Sequence, residues 1–566
     1  MNILGIYGSF DWEANKSYDA HDELTWVHDS GATLFIKNQH ICSVSEERLT
    51  RIKNDGNFPI HSIDYCLKEG NITYEDIEEI HIVSMCLPIF YRQLTDGVIK
   101  DKIQELFPNA KFHIVSHHLS HAASSVFSSG FEDGSILTLD GAGSLIYNVD
   151  YKNYLLSETN VIGYFNKKKN VFRIFNGIDQ TNDFGSYYHS NAHKIYCCKI
   201  KKHIELFDEK YRETWDGKIM GLSAYGKSKK VENLKDYTTS KDLSYNQFPY
   251  VIFESKHFKL KNPDEQAYIL QNNFENALVD YLSELKRLNY LEKNICLAGG
   301  SFLNVLGNSR LKELGFNIHI PPCTNDSGLH FGAACFGVFQ SKQKITLPKN
   351  IALLGKKYSQ EEIENELKNF NLNYKKYENF EELCQFTAQE LNQNKIIGWF
   401  QNRSEFGPRA LGSRSLLMHP GPASNKDIMN LRVKHREEWR PFAGIILEEY
   451  LTDYFEQDFS SPYMLYSLTV KENKRKEIAA ITHVDYTCRV QTANQELYPE
   501  ITTLIKKFKE VSKIPVLLNT SFNDNGEPIV ETPSDAIKAF LNLDIDYLVI
   551  DKYLLKKTKN HSISYF

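Results

Sequence analysis

Three histidines fall within five positions in the stretch VSHHLSHAASS. If this stretch is helical, His117 and His121 project from one face, and His118 is turned away by about 100°. Histidines four residues apart on a helix commonly present two imidazole nitrogens to one metal ion. The run ILTLDGAGS delivers Asp140 at the end of an apolar segment, and TNDSG places Asp326 in a similar turn. Imidazoles beside carboxylates predict a metal site, with helix capping or buried hydrogen bonding as the alternative.

Two glycine-rich turns indicate a second kind of ligand. The turn from Asp140 to Gly143 and the turn from Gly299 to Ser301 each follow an apolar run that predicts a buried strand. Free backbone N–H groups at such turns bind phosphate, although glycine pairs also form ordinary tight turns. Two such turns in one domain suggest the ribonuclease-H-like nucleotide-binding architecture of sugar kinases and actin.

Cationic side chains concentrate in three stretches of the later half of the chain, beside large apolar residues that a solvated basic face would not contain. Guanidinium groups bind phosphate through paired hydrogen bonds, so these stretches predict a polyphosphate or adenylate pocket. The stretches are RSEFGPRALGSRS with Arg403, Arg409 and Arg414, KHREEWRPFAG with Lys434, Arg436 and Arg440, and THVDYTCRVQTA with Arg489.

The elements that must position these residues are alternating strands and helices. The runs ILGIYGS, ILTLDGAGS and ICLAGGSFLN predict buried strands, and ATLFIKNQHICSV predicts a hairpin that turns near Asn38. The polar stretch QSKQKITLPKN marks the expected domain boundary. Beyond it, Ser359 and Glu362 predict a capping box, a second helix is expected from Phe380 to Leu391, and KIIGWF and IPVLLN predict strands. Both predicted domains are therefore mixed α/β.

Length and composition exclude several classes of protein. A chain of 566 residues is too long for one core, and 42% hydrophobic with 24% charged residues is typical of globular proteins. No stretch approaches the roughly 18 apolar residues of a membrane span, and no cleavable signal is seen, so we expect a cytoplasmic protein without membrane contact. The net charge of −6 is evenly spread and predicts no nucleic-acid partner, and the ten scattered cysteines predict reduced thiols.

Taken together, the motifs resemble those of the O-carbamoyltransferases of antibiotic and nodulation-factor biosynthesis. The resemblance covers nearly the whole chain and keeps the order of the motifs. They are His28-Asp29-Ser30, SEERLTRIKNDGNFP, HHLSHAASS, LTLDGAGS, DGKIMGLSAYG, LAGGSFLN, NDSG, EFGPRALGSRS, WRPFAG, THVDYTCRVQT and LLNTSFN.

The resemblance implies two domains with separate reactions. Residues 1–345 would form a ribonuclease-H-like domain similar to the Kae-type threonylcarbamoyl transferases of tRNA modification. Residues 350–566 would form a YrdC-like α/β domain that joins carbamoyl phosphate to ATP, with Mg, to give carbamoyl adenylate. The first domain would then pass the carbamoyl group to a hydroxyl of a small-molecule natural product, using bound Fe(II) or another divalent metal.

The resemblance also implies site residues. The metal ligands would be His117, His121, Asp140 and Asp326, which would leave His118 outside the site. His28 is the candidate base for the acceptor hydroxyl, with a structural role bonded to Asp29 as the alternative. The residues around the carbamoyl adenylate in the first domain would be Lys53, Asp140, Gly141, Ala142, Gly143, Gly300 and Asn304. Those around ATP and carbamoyl phosphate in the second would be Arg409, Lys434, Arg440, Arg489, Asn519 and Ser521.

Some positions depart from the family pattern. The segment between Ser9 and His28 is long, and its Trp12, Tyr18 and Trp26 either wall an acceptor pocket or simply pack. Asp216 replaces a frequent glutamate, and Ser301 replaces a frequent aliphatic residue. A tRNA threonylcarbamoyl transferase and a non-catalytic metal- or nucleotide-binding scaffold are the alternative functions. The acceptor, the metal and whether the chain forms a homodimer stay open.

Overall fold

A computed structural model shows two compact units, Met1–Ile351 and Ala352–Phe566, and the division directly follows the stretch QSKQKITLPKN. Both units combine sheets with helices, so the predicted α/β class is confirmed. The structure describes residues 1–10, 27–85, 88–141, 143, 145–147, 155–157, 159–176, 184–202, 215–227, 234–240, 250–254 and 262–557. Trp12, Tyr18, Trp26 and Ala142, named above, lie outside them.

The first sheet of unit 1 has the strand order β3-β2-β1-β4-β5. Strand β2 runs antiparallel to both of its neighbours, whereas β4 and β5 run parallel to β1. The predicted hairpin is confirmed, because Lys37 and Asn38 connect β2 to β3 with positive φ angles of 49° and 63°. The strands are β1 (Asn2–Tyr7), β2 (Gly31–Ile36), β3 (Gln39–Ser45), β4 (Glu79–Val83) and β5 (Lys111–Val115).

The second large sheet of unit 1 repeats this arrangement. Its order is β10-β9-β6-β13-β14, with β9 antiparallel to its neighbours and β13 parallel to β6 and β14. Numbered along each half, both sheets read 3-2-1-4-5, which is the duplicated ribonuclease-H-like pattern. The strands are β6 (Asp133–Leu139), β7 (Leu145–Tyr147), β8 (Leu155–Ser157), β9 (Asn160–Asn166), β10 (Val171–Asn176), β11 (Tyr237–Ser240), β12 (Tyr250–Phe253), β13 (Asn294–Ala298) and β14 (Asn317–His319), of which β7–β8 and β11–β12 form separate pairs.

The helices of unit 1 pack against these sheets. One helix follows the fifth strand of each half, and these two helices cross in close contact. A Cβ atom at Gly332 would lie only 1.9 Å from the carbonyl oxygen of Ser120. The helices are α1 (Glu47–Thr50), α2 (Ile60–Gly70), α3 (Pro88–Thr95), α4 (Val98–Leu106), α5 (His117–Ser128), α6 (Phe184–Ile200), α7 (Trp215–Ser223), α8 (Pro263–Arg287), α9 (Val305–Lys312) and α10 (Leu329–Gln340). The crossing pair is α5 and α10.

Unit 2 is built on one nine-stranded mixed sheet with the order β15-β23-β22-β16-β17-β21-β18-β20-β19. The predicted strands KIIGWF and IPVLLN are confirmed as β16 and β21, both near its centre. The strands are β15 (Lys375–Lys376), β16 (Ile397–Phe400), β17 (Arg414–Met418), β18 (Ala443–Leu447), β19 (Tyr466–Thr469), β20 (Thr487–Ala493), β21 (Val516–Ser521), β22 (Tyr547–Ile550) and β23 (Tyr553–Lys556).

The helices of unit 2 confirm two local predictions. Ser359 and Glu362 form the complete capping box of the first helix, because each side chain accepts a hydrogen bond from the other's backbone N–H. The next helix begins at Phe380, as its apolar spacing predicts. The helices are α11 (Gln360–Asn369), α12 (Phe380–Asn392), α13 (Ser424–Met429), α14 (Leu451–Tyr454), α15 (Pro499–Ser512) and α16 (Pro533–Asn542), and a π-helical turn covers Asn430–Lys434.

None of the helices among the described residues has the length and apolar character needed to cross a membrane. All of the nine cysteines that the structure describes are free thiols, and most are buried.

Candidate active site

The histidine-rich stretch is helical, which is the condition under which His117 and His121 share one face. Ser116 caps α5 by accepting a hydrogen bond from the backbone N–H of Leu119, so the helix begins at His117. His118 points away from the other two imidazoles and contacts Thr138 Oγ1 through Nδ1 at 2.6 Å. The helix therefore presents His117 and His121 together on one face.

The structure brings the four expected metal ligands into one cluster. His121 Nε2 lies 2.7 Å from Asp140 Oδ2 and 3.5 Å from Asp326 Oδ1. His117 Nε2 lies 3.5 Å from Asp140 Oδ2 and 3.6 Å from Asp326 Oδ1. One ligand atom from each of the four side chains lies within 4.8 Å of the other three.

The donor set of this cluster fits a divalent metal ion. Ligand atoms bound to one such ion at about 2.0–2.1 Å lie roughly 3 Å from one another, close to the spacing seen here. Two imidazoles with two carboxylates suit Fe(II), manganese or zinc equally. His121 is fully buried and His117 nearly so, which keeps competing water away from the nitrogens. The binding of a metal here stays a prediction, with these four residues as its ligands.

The pKa values of the cluster show that its carboxylates attract positive charge. Burial lowers the pKa of His117, but the charge of Asp326 and the contact with Asp140 raise it to about 10. Burial also raises the pKa of Asp326, yet the nearby His117 and His28 hold it well below its ordinary value. Without a metal, the two carboxylates therefore draw protons onto the imidazoles.

A ring of neighbours orients these ligands. Tyr7, at the end of β1, donates a hydrogen bond from its hydroxyl to Asp326 Oδ2 at 3.1 Å, and its ring lies edge-on to that of His117. Asn325 donates from Nδ2 to Asp29 Oδ2 at 2.8 Å. Neither Tyr7 nor Asn325 is among the predicted site residues. Tyr7 lies in the predicted strand ILGIYGS, and Asn325 lies in the turn TNDSG. Such neighbours fix ligand orientation in metal sites.

His28 forms a pair with Asp29, its Nδ1 lying 3.1 Å from Asp29 Oδ2. The His28 side chain is 51% exposed, which leaves it accessible to an acceptor molecule. Partial burial lowers the pKa of His28, but Asp326 and the hydrogen bond to Asp29 raise it to about 10. Asp29 holds a left-handed backbone conformation with φ of 60°, which non-glycine residues adopt rarely. The contact suits both the base and the structural roles considered for His28.

The glycine turns meet at Asp140. Asp140 Oδ1 accepts a hydrogen bond from the backbone N–H of Gly141 at 2.8 Å, and a Cβ atom at Gly300 would lie 3.1 Å from the same oxygen. Gly143 is buried beside them. Asn304 caps α9 and exchanges hydrogen bonds with Gln271, so its amide already has structural partners.

Lys53 stands apart from the glycine turns. It is partly buried in the loop between α1 and α2, and no described contact joins it to the metal-ligand cluster. Its role at the carbamoyl adenylate stays a prediction.

A second histidine–aspartate pair accompanies His28. His189 on α6 lies 3.2 Å from Asp216 on α7, measured from Nδ1 to Oδ2. The charge of Asp216 raises the pKa of His189, while nearby His28 lowers it. Of these two residues, only Asp216 is marked in the sequence, because it replaces a frequent glutamate of the family pattern. His189 carries no sequence signal of its own.

Three of the predicted arginines of unit 2 share one electrostatic environment. Burial and the neighbouring Arg489 and Arg440 hold the pKa of Arg409 well below its ordinary range. Burial and Arg440 lower the pKa of Arg489 to about 10. Among the described residues, the buried Nε of Arg489 has no hydrogen-bond partner, and Arg440 has only Glu437 at 3.5 Å as a counter-charge. A phosphate group would supply negative charge beside these guanidinium groups.

The sheet register aligns further predicted residues of unit 2. Ala443 on the central strand β18 is the partner of both Asn519 on β21 and Arg489 on β20, so these two side chains project from one face. The ammonium of Lys434 donates to Ser521 O at 2.7 Å and to Asn523 Oδ1 at 2.6 Å. The buried Lys434 and the partly buried Ser521 therefore form one polar group.

Two further arginines from the basic stretches have structural partners. Arg414 is fully buried, donates to Gln401 O at 2.7 Å and stacks on Phe400. Arg403 donates to Gly355 O at 2.6 Å. Their contacts are typical of packing rather than ligand binding.

Comparisons with known proteins agree with the motifs. Residues 23–107 and 97–335 match the family model Carbamoyltransferase N-terminus, and residues 388–557 match Carbamoyltransferase C-terminus. Nodulation protein NolNO of Sinorhizobium fredii is 31% identical over 98% of this chain and 83% of its own. A 3'-hydroxymethylcephem-O-carbamoyltransferase of Streptomyces clavuligerus is 30% identical over 57% of this chain and 61% of its own.

Among solved structures, full-length HypF in its phosphate- and nucleotide-bound form aligns over 61% of this chain and 47% of HypF, with 13% identity and a TM-score of 0.36. That similarity is too weak to support a conclusion. The two family models, by contrast, match most of both units, and NolNO aligns along nearly the full chain. The chain therefore belongs to the carbamoyltransferase family of enzymes.

Proposed function

We propose that this enzyme is an ATP-dependent O-carbamoyltransferase, in which unit 2 forms carbamoyl adenylate and unit 1 transfers its carbamoyl group to a hydroxyl of a small molecule. The observation that carries the proposal is the four-ligand cluster of unit 1. The His28–Asp29 pair lies close enough to it that Asp326 and Asp140 raise the pKa of His28. The cation-rich site of unit 2 supports the first step.

The activation step needs the kind of site that unit 2 offers. Carbamoyl phosphate, ATP and one water balance against carbamoyl adenylate, phosphate and pyrophosphate, so several phosphate groups must be held together. Arg440 and Arg489 lie close enough to Arg409 to lower its pKa, and the three guanidinium groups would neutralise these phosphates. Lys434 and Ser521 would line the same pocket by family resemblance, with ATP entering as its Mg complex.

In the transfer step, the acceptor oxygen attacks the carbamoyl carbon and AMP leaves. When Nδ1 of His28 donates to Asp29, its Nε2 is the nitrogen free to take the acceptor proton. Asn325 holds Asp29 by a second hydrogen bond, which fixes the direction of the ring. This arrangement favours His28 as the base over a purely structural role.

A base with a pKa near 10 is already protonated at neutral pH, and the carboxylates explain why. Asp326 and Asp140 both raise the pKa of His28. A divalent cation bound by His117, His121, Asp140 and Asp326 would offset the negative charge of the two carboxylates. The pKa of His28 would then fall, and its imidazole could accept a proton. A divalent cation would also supply charge that stabilises the negative charge developing on the reacting group.

The class of acceptor follows from the named relative. The Streptomyces clavuligerus protein is a 3'-hydroxymethylcephem-O-carbamoyltransferase, so its carbamoyl group goes to oxygen. We propose a hydroxylated small molecule as the acceptor here, and we expect no transfer to tRNA.

The test separates the two steps with one variant in each unit. Arg440→Ala should lose carbamoyl-adenylate formation, measured as pyrophosphate release with ATP and carbamoyl phosphate. His121→Ala should still release pyrophosphate but fail to carbamoylate the acceptor. Synthetic carbamoyl adenylate should then restore transfer in Arg440→Ala and not in His121→Ala.

Arg432→Ala is the matched control, because Arg432 forms an exposed ion pair with Asp544. It should behave like the unmodified enzyme in both assays. Rescue of both site variants by the adenylate, or of neither, would contradict the assignment of one step to each unit. Full transfer without ATP would contradict the adenylate itself.

A further inference from the structure

A second cluster of possible metal ligands lies in the first sheet of unit 1. Glu79 and His81 are on β4, and His113 is on β5. One ligand atom from each side chain lies within 4.8 Å of the other two. None of these residues belongs to the site described above.

The sheet register explains why the three side chains meet. His81 and His113 are direct partners in the parallel pair β4–β5, and Glu79 precedes His81 by two positions. Residues two apart on a strand, and residues in register on neighbouring strands, project from the same face. The grouping is thus fixed by the backbone and does not depend on flexible side chains.

The ligand atoms converge on one side. The two imidazole rings stack with centroids 4.9 Å apart and an angle of 19° between their planes. Both Nε2 atoms face Glu79 Oε2, at 3.2 Å for His81 and 3.9 Å for His113. One carboxylate oxygen therefore sits opposite two nitrogens, as in a shared coordination sphere.

The fold also leaves a dedicated space for the His81 ring. A Cβ atom at Gly337 on α10 would lie 2.4 Å from His81 Nε2, so any larger residue there would displace the ring. The His81 side chain is 1% exposed, and its Nδ1 has no hydrogen-bond partner among the described residues. His113 is 44% exposed and gives an ion a route from solvent.

We propose that Glu79, His81 and His113 form a second metal site that takes a transition-metal ion such as zinc(II). Two imidazoles and one carboxylate are a ligand set that this class of ion prefers. A bound ion would tie β5, an edge strand of the sheet, to β4. The site does not depend on the carbamoyl-transfer mechanism.

The test is titration of the full chain with cobalt(II), whose visible absorption reports coordination by nitrogen ligands. The His121→Ala background removes the first cluster from the measurement. In that background a cobalt(II) ion should still bind and raise the melting temperature. Adding His113→Ala should weaken this binding at least about tenfold.

His61→Ala is the matched control, because His61 is also a surface histidine paired with a glutamate, Glu46, and the described part of the chain offers this pair no third ligand. It should leave cobalt(II) binding unchanged. Glu79→Gln provides a second variant that keeps the size of the side chain, and it should weaken binding as His113→Ala does. Equal binding in the His113→Ala and His61→Ala proteins would overturn the proposal, as would no binding in the His121→Ala background.

Discussion

The two units concentrate opposite kinds of charge. In unit 1, Asp140 and Asp326 converge with two imidazoles whose pKa values they raise. In unit 2, burial and the neighbouring Arg440 lower the pKa of Arg489 to about 10, and Arg409 lies beside both. The carboxylates of unit 1 would attract a cation, and the guanidinium groups of unit 2 would attract anions, since opposite charges stabilise each other at short range.

The largest expected difference between the units is in acid sensitivity. Burial and neighbouring His40 lower the pKa of His330 in unit 1 to about 3. Below its ordinary pKa of about 6.5 the unfolded chain takes up a proton that the folded unit refuses, so stability is present above that pH and falls as the pH drops toward 3. The loss is about 1.4 kcal/mol per pH unit.

Hydrogen exchange of α10 in unit 1 and α15 in unit 2 measures this difference. Between about pH 6.5 and about pH 4.0, α10 should lose roughly 3 kcal/mol of protection and α15 much less. In unit 2, burial lowers the pKa of His419, but that side chain is only partly buried. His330→Asn should flatten the pH dependence of α10. An unchanged slope in this variant would show that another group is responsible.

A smaller effect is expected when one guanidinium is removed from unit 2. Arg489→Ala should weaken phosphate binding by 1.5–3 kcal/mol, or about 10- to 150-fold, the usual range for a hydrogen bond to a charged group. Calorimetric titration with inorganic phosphate measures it, and cobalt(II) binding to unit 1 should not change. Arg432→Ala should shift phosphate affinity by less than about 1 kcal/mol, because its ion pair is exposed. Similar losses of phosphate affinity in Arg489→Ala and Arg432→Ala would mean that phosphate binding depends only on the net charge of the protein.

The smallest expected effect concerns the orientation of a ligand in unit 1. Tyr7→Phe removes the hydrogen bond to Asp326 and should lower divalent-metal affinity about tenfold while phosphate binding in unit 2 stays the same. Tyr74→Phe makes the same chemical change at the surface, where Tyr74 contacts Asp64, and should leave metal affinity unaltered. Metal titration followed by fluorescence or calorimetry checks both. Unaltered affinity in Tyr7→Phe would show that packing alone orients Asp326.

Local features of this fold are readable from the sequence because neighbours in the chain determine them. The turn at Asn38 needs residues that tolerate positive φ, and the capping box needs only Ser359 and Glu362. The histidine pair of α5 follows from helical spacing. The placement of Asp140 at a strand end follows from the apolar run before it.

Contacts between distant segments were not predictable in the same way. Tyr7 and Asp326 are 319 positions apart, and no local sequence pattern predicts their hydrogen bond. The meeting of His81 and His113 depends on the order of strands in the sheet, which apolar periodicity does not encode. His189 lies inside an ordinary helix, and only the fold brings it near His28.

The repeated 3-2-1-4-5 sheets give the metal-ligand cluster an approximate twofold plan. Tyr7 ends the first strand of one half, and Asp140 follows the first strand of the other. His117 and His121 follow the fifth strand of one half, and Asp326 follows the fifth strand of the other. An ion held by all four ligands would therefore act as a clasp between two duplicated halves. Such an ion would add cross-links to the packing of α5 against α10, so the rigidity of unit 1 would depend on its metal content as well as on its apolar core.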